Sequence, residues 1–332
     1  AYSGSSELSR EELSRLLQCG YWTRVSEEEG RCAIIEEEPA SFTRWSAASE
    51  LPEGGDRDAA LREIAAQEDA AGSVVCLVDF EDRGGEASMR SGLVNLAAAT
   101  RHQIRSGHKR DRLGVIAMKE HAGWGKLGMG GLTFRPGNGV PGHCCGLWRY
   151  SSWRKGLSAR QQAAVMSEVV KGVNTDWKWF VAALPEKAKE LMADVSDIGT
   201  TAIVGGRTER LFLGRSRWCC LSVGQNYHAA PHKDKIDLGG AVIRFVDGVG
   251  ARCDARSNEF CLPELGIVID TPSMCVIWCQ TDRVRHGTMK ATFSGEGGVR
   301  LASARQMKRN VVSHLRKAKP GEDRIHRARA CD

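Results

Sequence analysis

Residues 231–237 of the chain read PHKDKID, and the predicted chemistry of the protein starts from this stretch. His232 and Asp234 are two residues apart, so on an extended strand both side chains point to the same face. His286 follows 54 residues downstream in RVRHGT, shortly after the apolar run MCVIWC. Two imidazoles and one carboxylate leave open positions on a metal, which is the arrangement of non-haem Fe(II) oxygenases. His232, Asp234 and His286 are therefore the predicted iron ligands and catalytic residues.

The segment that holds these ligands has a sequence pattern typical of β-strands. From about residue 199, short apolar stretches alternate with turns, which predicts a series of short strands. An earlier buried strand is predicted at Ser73–Phe80, where SVVCLVDF is apolar and rich in β-branched residues. Short antiparallel strands at this spacing indicate a sandwich or a barrel. The later strands are predicted at 209–214, 217–223, 240–246, 265–270, 274–279 and 299–304.

Helices and loops are predicted around these strands. An amphipathic helix that opens with a capping box is indicated within 1–20, and a helical segment whose aromatic residues pack onto a sheet within 158–195. The acidic stretch 26–58 is predicted to form surface loops, and the glycine-rich stretch 121–146 a long functional loop. The predicted division is an acidic N-terminal helical and loop segment at 1–72, a dioxygenase domain at 73–305 with its metal core at about 205–305, and a basic C-terminal tail at 306–332.

Charge is divided unevenly along the chain. Residues 1–70 carry 16 Asp and Glu against 7 Lys and Arg, whereas residues 71–332 carry 25 against 40. A basic body of this size favours an anionic partner, and nucleic acid is the commonest because neutralising its phosphates releases counterions. A solvated basic face is the alternative. The chain has no run of 18 apolar residues, so no membrane partner is expected.

The 12 cysteines favour free thiols in a reducing compartment. They include the adjacent pairs Cys144–Cys145 and Cys219–Cys220 but no CxxC motif, so neither a disulfide framework nor a zinc ribbon is predicted. No charged-then-apolar stretch opens the sequence, and no secretory signal is expected.

Arg300 adds a fourth element to the predicted site. It lies 14 residues after His286 in GVRLASA, on the next predicted strand. An oxygenase of this kind keeps a cation there for the far carboxylate of an organic co-substrate, and a planar guanidinium suits that carboxylate. The alternative for Arg300 is an arginine that is solvated at the surface of its strand. The alternative for each histidine is a structural residue whose hydrogen bonds are satisfied within the protein.

The segments PHKDKID, IDTPSMCVIW, RHGT and GVR are similar to the core of the TET/JBP family of DNA-base dioxygenases. The resemblance covers roughly residues 205–305 and implies an α+β fold with a double-stranded β-helix (jelly-roll, cupin-like) core flanked by helices. It implies Fe(II), O2 and an organic co-substrate, and a double-stranded DNA substrate containing 5-methylcytosine. Within this family, the chain more narrowly resembles a green-algal branch that uses ascorbate where relatives use 2-oxoglutarate. The features that carry this narrower resemblance are the alanine-rich composition, the abundant cysteines and Asp237.

The resemblance also implies roles for single residues. Fe(II) ligation falls to His232, Asp234 and His286, and co-substrate binding to Arg300. Asp237 matches the second aspartate of the family motif, which lies near the flipped base in relatives and is expected to hydrogen-bond ascorbate in the algal branch. Both roles stay open for Asp237, as does a plain turn or cap. Ascorbate implies transfer of a glyceryl group to the methyl carbon, and 2-oxoglutarate implies hydroxylation of that carbon.

A methyl group inside a duplex cannot reach a buried metal, so the base has to leave the stack and enter a pocket. The basic clusters 101–110 and 305–329 are the predicted phosphate track, and the glycine-rich loop is predicted to enter the groove or the gap left by the base. A solvent-exposed loop is the alternative for each of its residues. The predicted DNA contacts are Trp124, Phe134, Asn138, His143, Arg105 and Lys109.

Other functions compete with this interpretation. The same iron chemistry could serve RNA, alkylated bases or protein, and a cupin-type enzyme could use the ligands on a small molecule. A nucleic-acid reader that has lost its metal is disfavoured because the three ligands and the arginine are present. A nuclear location follows only from the DNA substrate; chloroplast, cytoplasm and the oligomeric state stay open.

Overall fold

The computed structural model describes residues 10–29, 32–36, 45–47, 74–80, 124–127, 158–198, 201–204, 207–210, 212–225, 228–247, 258–293 and 298–317. Within them the chain mixes helices with two β-sheets and a short hairpin, as the predicted α+β class requires. The helices are α1 (Arg10–Gln18), α2 (Ala159–Ala183), α3 (Pro185–Asp194) and α4 (Arg309–Lys317), with a 3-10 turn at Glu27–Glu29. None of these described helices is long and apolar enough to cross a membrane.

The described strands are β1 (Thr23–Val25), β2 (Cys32–Glu36), β3 (Trp45–Ala47), β4 (Val74–Asp79), β5 (Trp124–Leu127), β6 (Thr201–Val204), β7 (Arg207–Arg210), β8 (Cys220–Gln225), β9 (Ala229–His232), β10 (Asp237–Asp247), β11 (Phe260–Leu262), β12 (Ile267–Ile269), β13 (Val276–Cys279), β14 (His286–Thr288) and β15 (Arg300–Lys308). The larger sheet runs in the order β3-β2-β4-β13-β10-β15-β8-β5 and the smaller one in the order β1-β12-β11-β14-β9, while β6 and β7 form the hairpin.

The two sheets face each other across one apolar core. Phe260 and Ile269 of the smaller sheet belong to the same buried cluster as Ile35, Ile277 and Ala304 of the larger sheet. Strands β10 and β15 pair antiparallel at the centre of the larger sheet and are buried along nearly their whole length. Both of their faces are covered, so β10 is mainly apolar, whereas the charged residues of β15 (RLASARQMK) are buried in pairs with carboxylates.

A bulge bends β10 next to the metal site. The register against β15 shifts between Leu238 and Ala241, and the two glycines between them have φ of +70° and +77°. At Gly240 an added Cβ would lie 2.4 Å from the backbone oxygen of Cys279. Only glycine combines this backbone conformation with so close an approach.

Helix α2 covers the outer face of the larger sheet, which confirms the helical segment and the aromatic packing predicted for 158–195. The rings of Trp177 and Trp218 meet edge to face at 5.0 Å between centroids, and Phe180 stacks on Trp278 at 6.4 Å. These contacts anchor the helix to strands on either side of β10 and β15.

The N-terminal segment is part of the sheets. Helix α1 forms within the predicted range, and Leu13 is buried against Trp22 and Val268. The prediction of surface loops across 26–58 is wrong for β2, whose residues pair with β4 in the larger sheet. Ahead of it, β1 pairs in parallel with β12. Acidic residues on either side of β2 masked a buried strand only five residues long.

Two further predictions need correction. The glycine-rich stretch 121–146 is not loop throughout, because β5 pairs with β8 at the edge of the larger sheet. The basic tail does not begin at residue 306, because β15 continues to Lys308 and α4 follows at once. Arg305 and Lys308, expected on a phosphate track, are buried and paired with carboxylates. They are therefore unavailable to DNA.

The thiol prediction agrees with the described part of the chain. Among the cysteines whose side chains the structure describes, none forms a disulfide, and every one except Cys19 is buried. Burial raises the pKa of the Cys219 and Cys275 thiols to about 12, so both stay protonated at neutral pH.

Candidate metal centre

The two predicted histidine ligands lie directly opposite each other on neighbouring strands. His232 ends β9 and His286 begins β14, and their Cα atoms are register partners in the antiparallel pair. Side chains at such positions point to the same face with their Cβ atoms about 5 Å apart. The imidazole centroids are 4.6 Å apart with the ring planes at 48°. Strand pairing therefore brings together two residues that are 54 positions apart in sequence.

Asp234 completes the cluster from the turn that follows β9. Its Oδ2 lies 3.8 Å from Nε2 of His286, and one ligand atom from each of the three residues lies within 4.8 Å of the others. His286 is buried, whereas His232 and Asp234 are half-buried and lead outward. Two imidazole nitrogens and one carboxylate oxygen on a common face are a donor set that suits a divalent metal with open coordination positions.

His286 is held in the form that a metal requires. Its Nδ1 lies 3.3 Å from the carbonyl oxygen of Val284, which can only accept, so the proton belongs on Nδ1 and Nε2 keeps its lone pair. Burial, together with the nearby His232, lowers the pKa of His286 to about 4, although Asp234 opposes the shift. The ring of Phe260 stacks on the imidazole at 5.7 Å. A neutral and immobilised imidazole faces the cluster at neutral pH.

A buried ion pair supports the turn that carries Asp234. The backbone N–H of Asp234 donates to the carbonyl of Thr281 at 2.8 Å, and the Thr281 hydroxyl donates to the Asp237 carboxylate at 2.8 Å. The other oxygen of that carboxylate is paired with Lys308. Burial raises the pKa of Asp237 to about 6, although Lys308 and Thr281 act to lower it. Burial alone would lower the pKa of Lys308, but the Asp237 charge raises it.

A cavity of about 450 Å³, part of it open to solvent, adjoins the three ligands between the two sheets. The floor is the inner face of β10 and β15, where small or apolar residues leave room. Thr281, Thr288 and Gln306 supply the polar part of the lining besides the metal cluster. Among the described residues that line it, none is a lysine or an arginine. The lining consists of His232, Asp234, Ala241, Ile243, Phe245, Phe260, Thr281, His286, Thr288, Ala302, Ala304 and Gln306.

Arg300 and Asp237 are placed at opposite ends of this floor. Arg300 lies on the same face of β15 as Ala302 and Ala304, but its guanidinium pairs with Asp247 at 2.6 Å and also donates to the carbonyl of Thr271. Neither residue lines the cavity. Their predicted contacts with a co-substrate or with the base stay predictions.

The predicted DNA contacts fall outside what the structure describes. Arg105, Lys109, Phe134, Asn138 and His143 lie outside the described residues. The backbone of Trp124 begins β5, and its partner in the register is Gly224 of β8.

Sequence reasoning missed Thr281, Lys308 and Gln306. Gln306 could have been predicted, because it is six residues after Arg300 and the two-residue period of a strand places both on one face. Thr281 and Lys308 could not, since their roles arise from hydrogen bonds to residues 44 and 71 positions away.

The two facing sheets, their flanking helices and the His–Asp–His cluster define the chain as an α+β protein with a candidate mononuclear metal centre. No protein-family model matches the chain, and no curated protein matches it. Among solved structures it is similar to NgTET1 in complex with 5mC DNA, with 10% identity and a TM-score of 0.46 over 93% of this chain and 94% of that chain. It is also similar to the viral collagen prolyl hydroxylase vCPH from Paramecium Bursaria Chlorella virus-1 in its 2OG complex, with 13% identity and a TM-score of 0.21 over 38% of this chain and 71% of that chain. At these identities and TM-scores, the two similarities define neither the fold nor the function of the chain.

Proposed function

We propose that the chain is a non-haem Fe(II) dioxygenase with a double-stranded β-helix core that modifies 5-methylcytosine in DNA, using O2 and ascorbate and joining a glyceryl group to the methyl carbon. One observation carries the proposal. His232, Asp234 and His286 present their ligand atoms within 4.8 Å of one another beside a cavity between two sheets. This donor set suits Fe(II) and leaves positions for a co-substrate and O2.

The residues around the cluster would prepare the site for iron. His232, Asp234 and His286 would hold Fe(II), which when bound supplies the redox chemistry for the activation of O2. The Val284 carbonyl keeps the proton of His286 on Nδ1, and Phe260 fixes the ring plane. The apolar floor restricts water around the reacting groups.

The charge of the cavity supports ascorbate over 2-oxoglutarate. A dicarboxylate needs a cation for its far carboxylate. The described lining of the cavity contains no lysine or arginine, and the nearby Lys308 and Arg300 already face Asp237 and Asp247. Ascorbate is a monoanion with several hydroxyl groups, so it matches a lining of threonine and glutamine better.

The rim of the cluster supports a polyanionic substrate. Lys235 is exposed and follows Asp234 directly in the chain, and Arg283 is exposed three residues before His286. Lys233 and Arg285 share the single carboxylate of Glu264, which leaves the rim positive. Such a rim would hold the phosphates on both sides of a flipped nucleotide while its base enters the cavity. With DNA as the proposed substrate, a nuclear location is part of the proposal.

The direct test loads the full chain with Fe(II) under anaerobic conditions and then supplies air and 5-methylcytosine DNA with either ascorbate or 2-oxoglutarate alone. Nucleosides are read by mass spectrometry. We expect a glyceryl adduct with ascorbate alone. Hydroxymethylcytosine with 2-oxoglutarate alone would replace this proposal by the hydroxylase alternative, and an unchanged base in both arms would exclude 5-methylcytosine as the substrate.

Matched aspartate variants separate metal binding from a general loss of structure. Asp234→Asn should abolish Fe(II) binding and product formation, because an amide is a poor metal ligand. Asp282→Asn makes the same change at a partly buried aspartate that pairs with Arg309 outside the cluster, and it should retain both. Full activity in Asp234→Asn would refute the iron site.

Binding to DNA has its own test at the rim. The double variant Lys235→Glu, Arg283→Glu should weaken DNA binding and reduce the salt slope of affinity by about 2, because two phosphate contacts are lost. Fe(II) binding should not change. An unaltered salt slope would show that DNA, if bound, uses another face.

A further inference from the structure

Gln306 places a buried amide on the lining of the metal cavity. Its side chain is 6% exposed and lines the cavity together with His232 and Asp234. Its Oε1 has no hydrogen-bond partner among the described residues. The backbone is held firmly, since Gln306 pairs with Ala241 on one side and Cys220 on the other.

A polar side chain in this position is costly unless something pairs with it. Its cavity-lining neighbours Ala304 and Ala241 are apolar, and a leucine or methionine would occupy the same space without an unpaired amide. Free amides in protein interiors are rare for this reason. The cavity is the direction from which a partner can come.

The chemistry of the amide selects among possible partners. Glutamine both accepts through its oxygen and donates through its nitrogen, so a ligand that does both satisfies it fully. A dicarboxylate at neutral pH offers only acceptors and would leave the amide oxygen unpaired. A hydroxyl group on the ligand offers both a donor and an acceptor. The nearby Thr281 hydroxyl already donates to Asp237, so Thr281 can only accept a hydrogen bond from a ligand.

We propose that Gln306 is the specificity-determining residue for the co-substrate and that it hydrogen-bonds a hydroxyl group of that molecule. The inference rests on the proposed function, which supplies an organic co-substrate in this cavity. Gln306 selects a hydroxylated monoanion over a dicarboxylate, since the described lining contains no lysine or arginine for a second carboxylate. It acts on binding and leaves the metal ligands untouched.

The test measures binding without turnover. The full chain is loaded with Mn2+ under anaerobic conditions, and ascorbate or 2-oxoglutarate is titrated by calorimetry into wild type and Gln306→Met. The matched control is Gln280→Met, which changes a buried glutamine outside the cavity lining. We expect Gln306→Met to weaken ascorbate binding by about 5- to 30-fold, as loss of one buried hydrogen bond implies, with Mn2+ binding unchanged.

Thermal unfolding keeps a structural role apart from a binding role. Because the amide oxygen has no partner among the described residues, Gln306→Met should unfold at or above the wild-type temperature without ligand. Ascorbate should raise the unfolding temperature of wild type and of Gln280→Met more than that of Gln306→Met. A lower unfolding temperature of ligand-free Gln306→Met would overturn the inference, since it would reveal a structural partner.

The possible results separate this inference from the proposed function. Unchanged ascorbate affinity in Gln306→Met, or equal weakening for both compounds, overturns the role of Gln306 and leaves the iron site standing. Weakened binding of 5-methylcytosine DNA alone would assign the amide to the base and overturn it as well. Failure of wild type to bind Mn2+ at the cluster overturns the proposed function and this inference with it.

Discussion

Asp176 connects helix α2 to the larger sheet through charge inside the core. Its Oδ1 accepts from Nε of Arg244 at 2.9 Å, and its Oδ2 lies 2.8 Å from Nε of Arg305. All three side chains are at most 2% exposed. The arginines stand on the neighbouring strands β10 and β15, so one carboxylate holds both strands and the helix. Burial lowers the pKa of Arg305 to about 10, and Asp176 opposes that shift.

Asp176→Asn should therefore destabilise the protein strongly. The substitution preserves volume but leaves two buried guanidinium groups without a carboxylate, and removal of one partner from a buried ion pair costs about 3–5 kcal/mol. Unfolding in urea should show a lower midpoint with an unchanged slope, and the unfolding temperature should fall by roughly 6–20 °C. Mn2+ binding should persist below the transition because Asp176 lies on the opposite face of the sheet from the cavity.

The control is Asp197→Asn, which removes an exposed carboxylate paired with Arg316. Salt screening and solvent make such pairs weak, so this variant should unfold like wild type. If Asp176→Asn stays within about 1 kcal/mol of wild type, the two arginines are solvated and the buried network does not connect the helix to the sheet.

Three further predictions concern the sheets. Gly240→Ala should destabilise the protein by about 3 kcal/mol or more, because its Cβ would meet a backbone oxygen at 2.4 Å. Gly20→Ala, at a similar positive φ but with open space around the Cβ, should cost about 1 kcal/mol. Urea unfolding compares the two variants, and equal losses of stability would contradict the steric argument. Ile35→Ala should cost about 2–5 kcal/mol, since Ile35 is fully buried in β2, and a loss below 1 kcal/mol in the same assay would mean that β2 does not belong to the core. Lys308→Met should lower stability by about 3–5 kcal/mol, because the buried Asp237 carboxylate loses its charge partner. Adding Asp237→Leu should restore most of that stability. A double variant no more stable than Lys308→Met would contradict a direct ion pair.

Much of the fold and of the metal cluster could be predicted because its determinants are local. The residue types and spacing in PHKDKID identify His232 and Asp234 as neighbouring ligands, although Asp234 lies on the turn after β9 and not on an extended strand. Helix α2 carries its own periodicity over 25 residues, and the long apolar run that includes β10 could hardly belong to a surface. These features are recognisable without knowledge of neighbouring strands.

The failures share a physical cause. Strand β2 is five residues long between acidic stretches, and its burial follows from pairing with β4, which begins 38 residues after β2 ends. Arg305 and Lys308 looked like members of a basic tail because a sequence shows charge but not the carboxylate that neutralises it. Tertiary contacts override such local signals.

The sequence by itself determined which residues are available as metal ligands, since their types and their two-residue spacing are properties of the local chain. Tertiary contacts bring His286 opposite His232, pair Asp237 with Lys308, and leave Oε1 of Gln306 without a hydrogen-bond partner among the described residues. Those facts depend on the register of strands far apart in sequence, and a shift of one residue would turn each side chain to the opposite face.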